Sequence, residues 1–96
     1  MDDRDLMRDI VAALLEDTSQ QVALIENAIR TQDGQSCVRL AHYSKGACAN
    51  VGANRAAGLF RRLESEAKQS EFARCGESLA ALTGELDALR VASLSL

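Results

Sequence analysis

The sequence predicts an all-α fold, an antiparallel four-helix bundle with up-down-up-down connectivity. Proline is absent and aromatic residues make up 3% of the chain, whereas helix-favouring alanine, leucine, glutamate and arginine are abundant. Apolar residues recur at helical spacing, and β-branched clusters with period two are missing. Short breaks in the helical pattern near residues 33, 52 and 69 require consecutive helices to run antiparallel.

The first helix is predicted from about Asp5 to Gln32 by an apolar stripe with mostly helical spacing. Its members are Leu6, Ile10, Leu14, Val22, Ile25 and Ile29. Around Asp17, Thr18 and Ser19 the stripe thins and three capping residues occur together. A short extra N-terminal helix followed by a longer one is therefore an alternative. We favour a single long helix that allows a kink at this point.

The second helix is predicted over about residues 34–51. Asp33 and Gly34 interrupt the first pattern, and Asp33 is placed to cap the helix that follows. Gly52 fits the left-handed residue that ends many helices. An apolar seam is expected along this helix at Cys37, Leu40, Ser44, Ala47 and Val51.

The third helix is predicted from about Asn54 to Gln69, and the fourth begins after Ser70, which is a candidate cap. The expected buried face of the third helix is Ala56, Leu59, Phe60, Leu63 and Ala67. The fourth helix has the most regular stripe, at Phe72, Cys75, Leu79, Leu82, Leu86 and Leu89. Residues 91–96 are expected either to extend this helix or to fray.

Length and charge narrow the function classes. The chain has 96 residues and 47% hydrophobic content, which suffices for a single domain over residues 1–96. The net charge of -3 and the lack of a basic run argue against nucleic-acid binding. The longest fully apolar run, Val11 to Leu15, is far too short for membrane insertion. We expect a cytoplasmic domain, monomeric by default.

The three cysteines are odd in number and form no C-x-x-C pair, so neither a metal site nor a disulfide framework is predicted. Cys37 and Cys48 would lie on one helix, roughly 16 Å apart along its axis, which is too far for a disulfide. We expect buried free thiols, consistent with a reducing compartment.

His42 is the only histidine, and the predicted seam of the second helix lies within about 40° of the direction opposite it. The imidazole is therefore expected to face water. Lys45 and Gly46 lie three and four residues on, directly beside it on the helix surface. A nucleophilic ring, a mobile cation and a patch of bare backbone together suit reversible attack on a phosphoryl group held by another protein.

These residues resemble the signature of a known family. His42, Lys45 and Gly46, preceded by Ala41 and followed by Asn50, Gly52, Leu59, Leu63 and Glu64, are similar to the histidine-containing phosphotransfer (HPt) domain of bacterial multistep phosphorelays. The likeness covers roughly residues 5–89. At one position the sequence departs from the pattern, because the family usually has leucine where Ser44 stands. Ser44 faces the predicted core, so its hydroxyl requires a partner such as a carbonyl one turn back.

The resemblance implies a phosphocarrier. His42 would accept a phosphoryl group from a receiver-domain aspartate and pass it to another, Lys45 would offset the charge of the phosphoryl oxygens, and Gly46 would give the partner access. No cofactor is expected on this domain, and Mg²⁺ is expected on the receiver. The candidate docking residues are Arg39, Tyr43, Ala49 and Asn50. Asn50 could instead bond across to the next helix.

No autonomous catalytic site is expected, since the chain has no glycine-rich nucleotide loop and no paired acidic metal site. The domain would be either free-standing or the C-terminal domain of a hybrid sensor histidine kinase, in which case a membrane sensor could tether it.

Two other functions fit parts of the pattern. One is a helical interaction module that binds a response regulator without being phosphorylated. The other is a small haem- or ligand-binding bundle, which requires His42 to point inward and lacks a second axial ligand. The charged residues of the third helix are interpreted as a solvated face. They are Arg61, Arg62, Glu64 and Glu66.

Overall fold

Four α-helices form the bundle seen in the computed structural model, which describes residues 3–96; Met1 and Asp2 lie outside the described residues. The helices are α1 (Asp3–Arg30), α2 (Gly34–Asn50), α3 (Asn54–Lys68) and α4 (Phe72–Ser93). Each helix packs against the next, and α4 packs back against α1. No strand occurs within residues 3–96, and no helix there is long and apolar enough to cross a membrane. The predicted all-α fold is confirmed.

The first helix runs unbroken through Asp17, Thr18 and Ser19. Thr18 is fully buried, and its hydroxyl donates to the carbonyl oxygen of Leu14 at 2.8 Å. A threonine hydroxyl that bonds back one turn does not act as an N-cap, so it leaves the helix continuous. The alternative of a short extra N-terminal helix is therefore wrong for the described residues.

The N-terminal turns of α1 lie outside the core. Leu6 and Ile10, which the stripe predicted to be buried, are 52% and 38% exposed. The reason is length: α1 has 28 residues and α2 has 17, so at 1.5 Å per residue the start of α1 extends beyond the end of its neighbour. The apolar stripe correctly predicted the helix but not how far α2 covers it.

The turns between helices close by backbone hydrogen bonds. At Gly52, which has φ 78, Ala53 N–H donates to the Cys48 carbonyl at 2.9 Å and Gly52 N–H to the Ala49 carbonyl at 3.1 Å. This is a Schellman ending, and it confirms the left-handed position predicted for Gly52.

Ser70 occupies the same left-handed position at the end of α3, with φ 57. Its N–H donates to the Ala67 carbonyl at 3.1 Å, so Ser70 ends α3. The residue at the start of α4 is Glu71, which forms no side-chain cap. The prediction that Ser70 caps α4 is wrong, because serine can serve either end and periodicity did not decide between them. Asp33, by contrast, caps α2 as predicted and accepts from Ser36 N–H at 3.1 Å.

The core contains the three free cysteines, all fully buried as predicted. Burial raises the pKa of Cys37 to about 12 and the pKa of Cys48 to about 11. Both thiols therefore remain protonated and unreactive at neutral pH.

The buried side of α2 differs in part from the predicted seam. Its buried members are Cys37, Ala41, Ser44 and Cys48, whereas Leu40 and Ala47 are half-buried. Val51 is exposed because the helix has already ended at Asn50 and Val51 belongs to the turn.

Ser44 is fully buried, and among the described residues its hydroxyl has no hydrogen-bond partner. The expected bond to a carbonyl one turn back is not formed. Leaving a buried hydroxyl unpaired costs roughly 1 to 3 kcal/mol.

We expect Ser44→Ala to raise the free energy of unfolding by about 1 kcal/mol, because it removes the unpaired hydroxyl from the core. Urea unfolding followed by circular dichroism measures the change. Ser65→Ala is the matched control, since Ser65 is exposed on α3 and reports the helix propensity of alanine alone. Equal gains in the two variants would contradict the assignment.

Candidate functional site

His42 projects from the middle of α2 into solvent, with 68% of its side chain exposed. The outward orientation predicted from helix phase is confirmed, and it contradicts the inward ring that a haem site requires. Nδ1 lies 3.2 Å from Oε2 of Glu64. Because an ionised carboxylate only accepts hydrogen bonds, this contact assigns the proton to Nδ1 and leaves the Nε2 lone pair available.

Glu64 reaches this ring from α3, and only 10% of its side chain is exposed. Its other oxygen, Oε1, accepts from Nζ of Lys45 at 2.9 Å. Nζ of Lys68, one turn further along α3, lies 3.5 Å from Oε2. One carboxylate therefore contacts the histidine and two ammonium groups.

The charge of Glu64 is maintained by these contacts. Burial disfavours the ionised form, but hydrogen bonds from Lys45 and His42 outweigh that effect and hold the pKa of Glu64 below its usual value of 4.5. Glu64 is therefore a fixed negative charge behind the imidazole at neutral pH.

Lys45 lies on α2 beside His42, as its spacing predicted. Only 25% of its side chain is exposed, because the ammonium group is held against Glu64. In the resting protein Lys45 is thus a paired cation and not the mobile one expected from the sequence.

Gly46 leaves the surface beside His42 open. A Cβ placed at this position would meet nothing within 4 Å. The glycine therefore does not serve helix packing inside this domain, and the patch of bare backbone predicted beside the ring is present.

The four candidate docking residues are all exposed on α2: Arg39, Tyr43, Ala49 and Asn50. The Tyr43 hydroxyl donates to Oδ2 of Asp17 at 3.0 Å, which fixes the exposed ring against α1. In the part of the chain that the structure describes, Asn50 forms no side-chain hydrogen bond, so the alternative bond across to the next helix is not formed. The turn is closed instead by the backbone at Gly52.

The interpretation of the charged residues of α3 as a solvated face is wrong for two of them. Glu64 is buried, and half-buried Glu66 accepts from the Ser78 hydroxyl at 2.6 Å. A signal for Glu64 exists in the sequence: it lies four residues after Phe60 and three before Ala67, inside the apolar stripe of α3. A carboxylate at such a phase indicates a buried partner for its charge. Lys68, one turn on, carries no such signal.

Within residues 3–96, no cluster of three or more histidine, cysteine, aspartate or glutamate side chains is arranged to hold a metal ion. The site consists of one imidazole, one carboxylate and two ammonium groups.

A four-helix bundle that presents an exposed histidine, backed by a carboxylate and flanked by lysine and glycine, defines the class of helical histidine phosphotransfer domains. The chain belongs to the Hpt domain family, whose model matches residues 9–92, and its role is histidine phosphotransfer in two-component phosphorelays. The resemblance noted in the sequence is thus confirmed.

A solved structure shares the fold: histidine-containing phosphotransfer protein B (HptB) from Pseudomonas aeruginosa PAO1. The TM-score is 0.86 at 23% sequence identity, and the match covers 92% of this chain and 76% of that chain. No curated protein matches the sequence significantly.

The lowered pKa of Glu64 predicts a pH-dependent stability. Its ionised form stabilises the fold above the unfolded-state pKa, and this contribution is lost as the pH falls through the lower folded-state value. We therefore expect the free energy of unfolding to fall more steeply between about pH 5 and pH 3 in the wild type than in Glu64→Gln.

The measurement is a series of urea titrations across this pH range. Glu77→Gln, which changes an exposed carboxylate on α4, is the control and should follow the wild-type slope. Parallel pH profiles for the wild type and Glu64→Gln would contradict the role given to these hydrogen bonds.

Proposed function

We propose that this domain is a phosphocarrier that takes a phosphoryl group from the aspartate of one receiver domain and delivers it to the aspartate of another. The observation that carries the proposal is the contact between Nδ1 of His42 and Oε2 of Glu64, at 3.2 Å on an exposed ring. This contact leaves Nε2 as the nucleophile.

In the accepting step, the Nε2 lone pair attacks the phosphorus of the phospho-aspartate. The N–P bond forms as the P–O bond to the aspartate breaks, and the bonding pair leaves with the aspartate carboxylate. The imidazole keeps its Nδ1 proton and becomes positively charged, and Glu64 stabilises that charge much as a buried aspartate stabilises the imidazolium of a hydrolase triad.

In the delivering step the same events run in reverse. A receiver carboxylate attacks the phosphorus, the N–P bond breaks, and its electron pair returns to Nε2. No proton has to move in either direction, because Nδ1 holds the same proton throughout. The site therefore has no need of a general base.

Lys45 and the receiver together neutralise the negative charge of the phosphoryl oxygens. Phosphoryl transfer depends mainly on alignment and on neutralising the phosphoryl oxygens. Lys45 supplies one cation from this domain, and the receiver supplies Mg²⁺. The proposed transfer needs no nucleotide site on this domain, whether the domain is free-standing or the C-terminal domain of a hybrid sensor histidine kinase.

Docking of the receiver uses the outward surface of α2, where Arg39, Tyr43, Ala49 and Asn50 are exposed along the same helix as the histidine. Gly46 lets the rim of the receiver approach the ring. We propose that the domain works as a monomer in the cytoplasm, a location that the three free thiols support, and that residues 1–96 act as one domain.

The test of the proposal is transfer from a receiver domain labelled on its aspartate. We expect the wild-type domain to acquire label that survives alkali and is lost in acid, as phosphohistidine does. His42→Gln should remain at background, because the amide nitrogen has no nucleophilic lone pair.

Circular dichroism of both proteins provides the control for folding. Label on His42→Gln would refute the assignment of the acceptor. Receiver binding by the wild type with no label transferred would instead favour the interaction module that is never phosphorylated.

Gly46→Leu tests the access role. We expect it to slow transfer from the receiver by about a hundredfold, the cost typical of a misplaced reacting group, while helix stability stays the same or rises. Gly84→Leu is the matched control, since a Cβ there also meets nothing within 4 Å and α4 lies diagonally across the bundle from α2. Normal transfer by Gly46→Leu would remove the access role from the glycine.

A further inference from the structure

Two lysines pair with Glu64, although one would balance its single negative charge. Lys45 lies 2.9 Å from one oxygen and Lys68 lies 3.5 Å from the other. The two lysines differ in exposure: 25% of the Lys45 side chain is exposed and 61% of the Lys68 side chain. The resting site therefore has one buried anion and two cations, and the proposed transfer uses only the first cation, Lys45.

Phosphorylation of His42 changes this balance. A phosphoryl group brings a charge of about -1.5 to -2 to Nε2, next to Lys45 on the same face of α2. Glu64 lies on the Nδ1 side of the ring, so turning the Lys45 ammonium group toward phosphoryl oxygens on the Nε2 side loosens its 2.9 Å contact with Glu64. Removing the partner of a nearly buried carboxylate is costly unless another cation takes its place.

Lys68 is placed to be that cation. It lies one turn after Glu64 on α3, the i,i+4 arrangement in which glutamate and lysine pair well, and its Nζ is already 3.5 Å from Oε2. Its long exposed stem allows it to close on the carboxylate without rearrangement of the helix.

We propose that Lys68 is a positioning residue that replaces Lys45 on Glu64 when Lys45 turns to the phosphoryl group. The inference rests on the proposed phosphorylation of His42. Lys68 does not touch the phosphoryl group; it acts by lowering the cost of releasing Lys45. Glu64, which lies on α3 and contacts His42 of α2, stays paired and continues to hold the Nδ1 proton.

The test uses phosphoramidate, a small phosphoryl donor that needs no protein partner. Nε2 of His42 attacks its phosphorus, the P–N bond of the donor breaks, and the protonated amine leaves as ammonia with the bonding pair. The rate of phosphohistidine formation is followed by ³¹P NMR in five proteins: the wild type, Lys68→Gln, Lys68→Arg, Lys45→Gln and the double variant Lys45→Gln/Lys68→Gln. Arg62→Gln is the matched control, because it removes one positive charge from an exposed position of the same helix.

We expect Lys68→Gln to slow phosphorylation about two- to fivefold, the range for an ion pair of this exposure, while Lys68→Arg stays near the wild type. Arg62→Gln should change the rate much less. In the Lys45→Gln background, the Lys68→Gln change should have no effect beyond that of Arg62→Gln, because no lysine remains to be released.

Equal slowing by Lys68→Gln with and without Lys45 would overturn the proposal, since Lys68 would then act on the phosphoryl group directly or through the fold. Slowing no greater than that of Arg62→Gln, or no rescue by Lys68→Arg, would overturn it as well. Circular dichroism confirms that every variant is folded.

The outcomes separate this inference from the proposed function. If phosphoramidate phosphorylates His42 but no phosphorylated receiver does, the relay role fails and the rates still decide the role of Lys68. If neither donor yields phosphohistidine at His42, both proposals fail.

Discussion

The carboxylate of Glu64 joins α3 to the two chemically important side chains of α2, and its position depends on the turn between those helices. His42 and Glu64 lie equally far from Ala53, which follows the left-handed Gly52 in the Schellman ending of α2. A slip of one residue in either helix would turn a side chain by about 100° and move it about 1.5 Å. The backbone bonds at Gly52 therefore set the register that brings the carboxylate to the imidazole.

The same contact reconciles two demands on the histidine. A ring that must be reached by a second protein has to stand in solvent, where nothing holds the imidazole in the Nδ1–H tautomer or in one orientation. Glu64 fixes both from a position that is almost buried, while 68% of the His42 side chain stays exposed. Gly46 adds to this exposure on one side, and the Tyr43 hydroxyl, held by Asp17 at 3.0 Å, limits the motion of the neighbouring aromatic ring.

Helical periodicity predicted the features that one helix determines alone. It predicted the four helices and the outward orientation of His42. The preferences of turn residues predicted Asp33 as the cap of α2 and Gly52 as the left-handed residue that ends it. It failed where two elements meet: Leu6 is exposed because α2 is too short to cover it, and Ser70 ends one helix where it was expected to begin the next. The burial of Glu64 and its contact with His42 were missed for the same reason, since periodicity gives the phase of a residue on its own helix and not its partner on the neighbouring helix. Its place within an apolar stripe was the available clue.

The position of Ser44 shows that the stability of the fold and the geometry of the histidine site depend on opposite faces of α2. Ser44 is two residues from His42 but lies on the opposite face, fully buried and unpaired among the described residues. The departure from the leucine usual in the family therefore affects the free energy of folding and leaves the imidazole, its carboxylate and its lysines unchanged. Substitutions on the buried face of α2 can lower the free energy of unfolding without moving His42 or its contacts. The condition is that the backbone hydrogen bonds at Gly52 keep α2 and α3 in the same register.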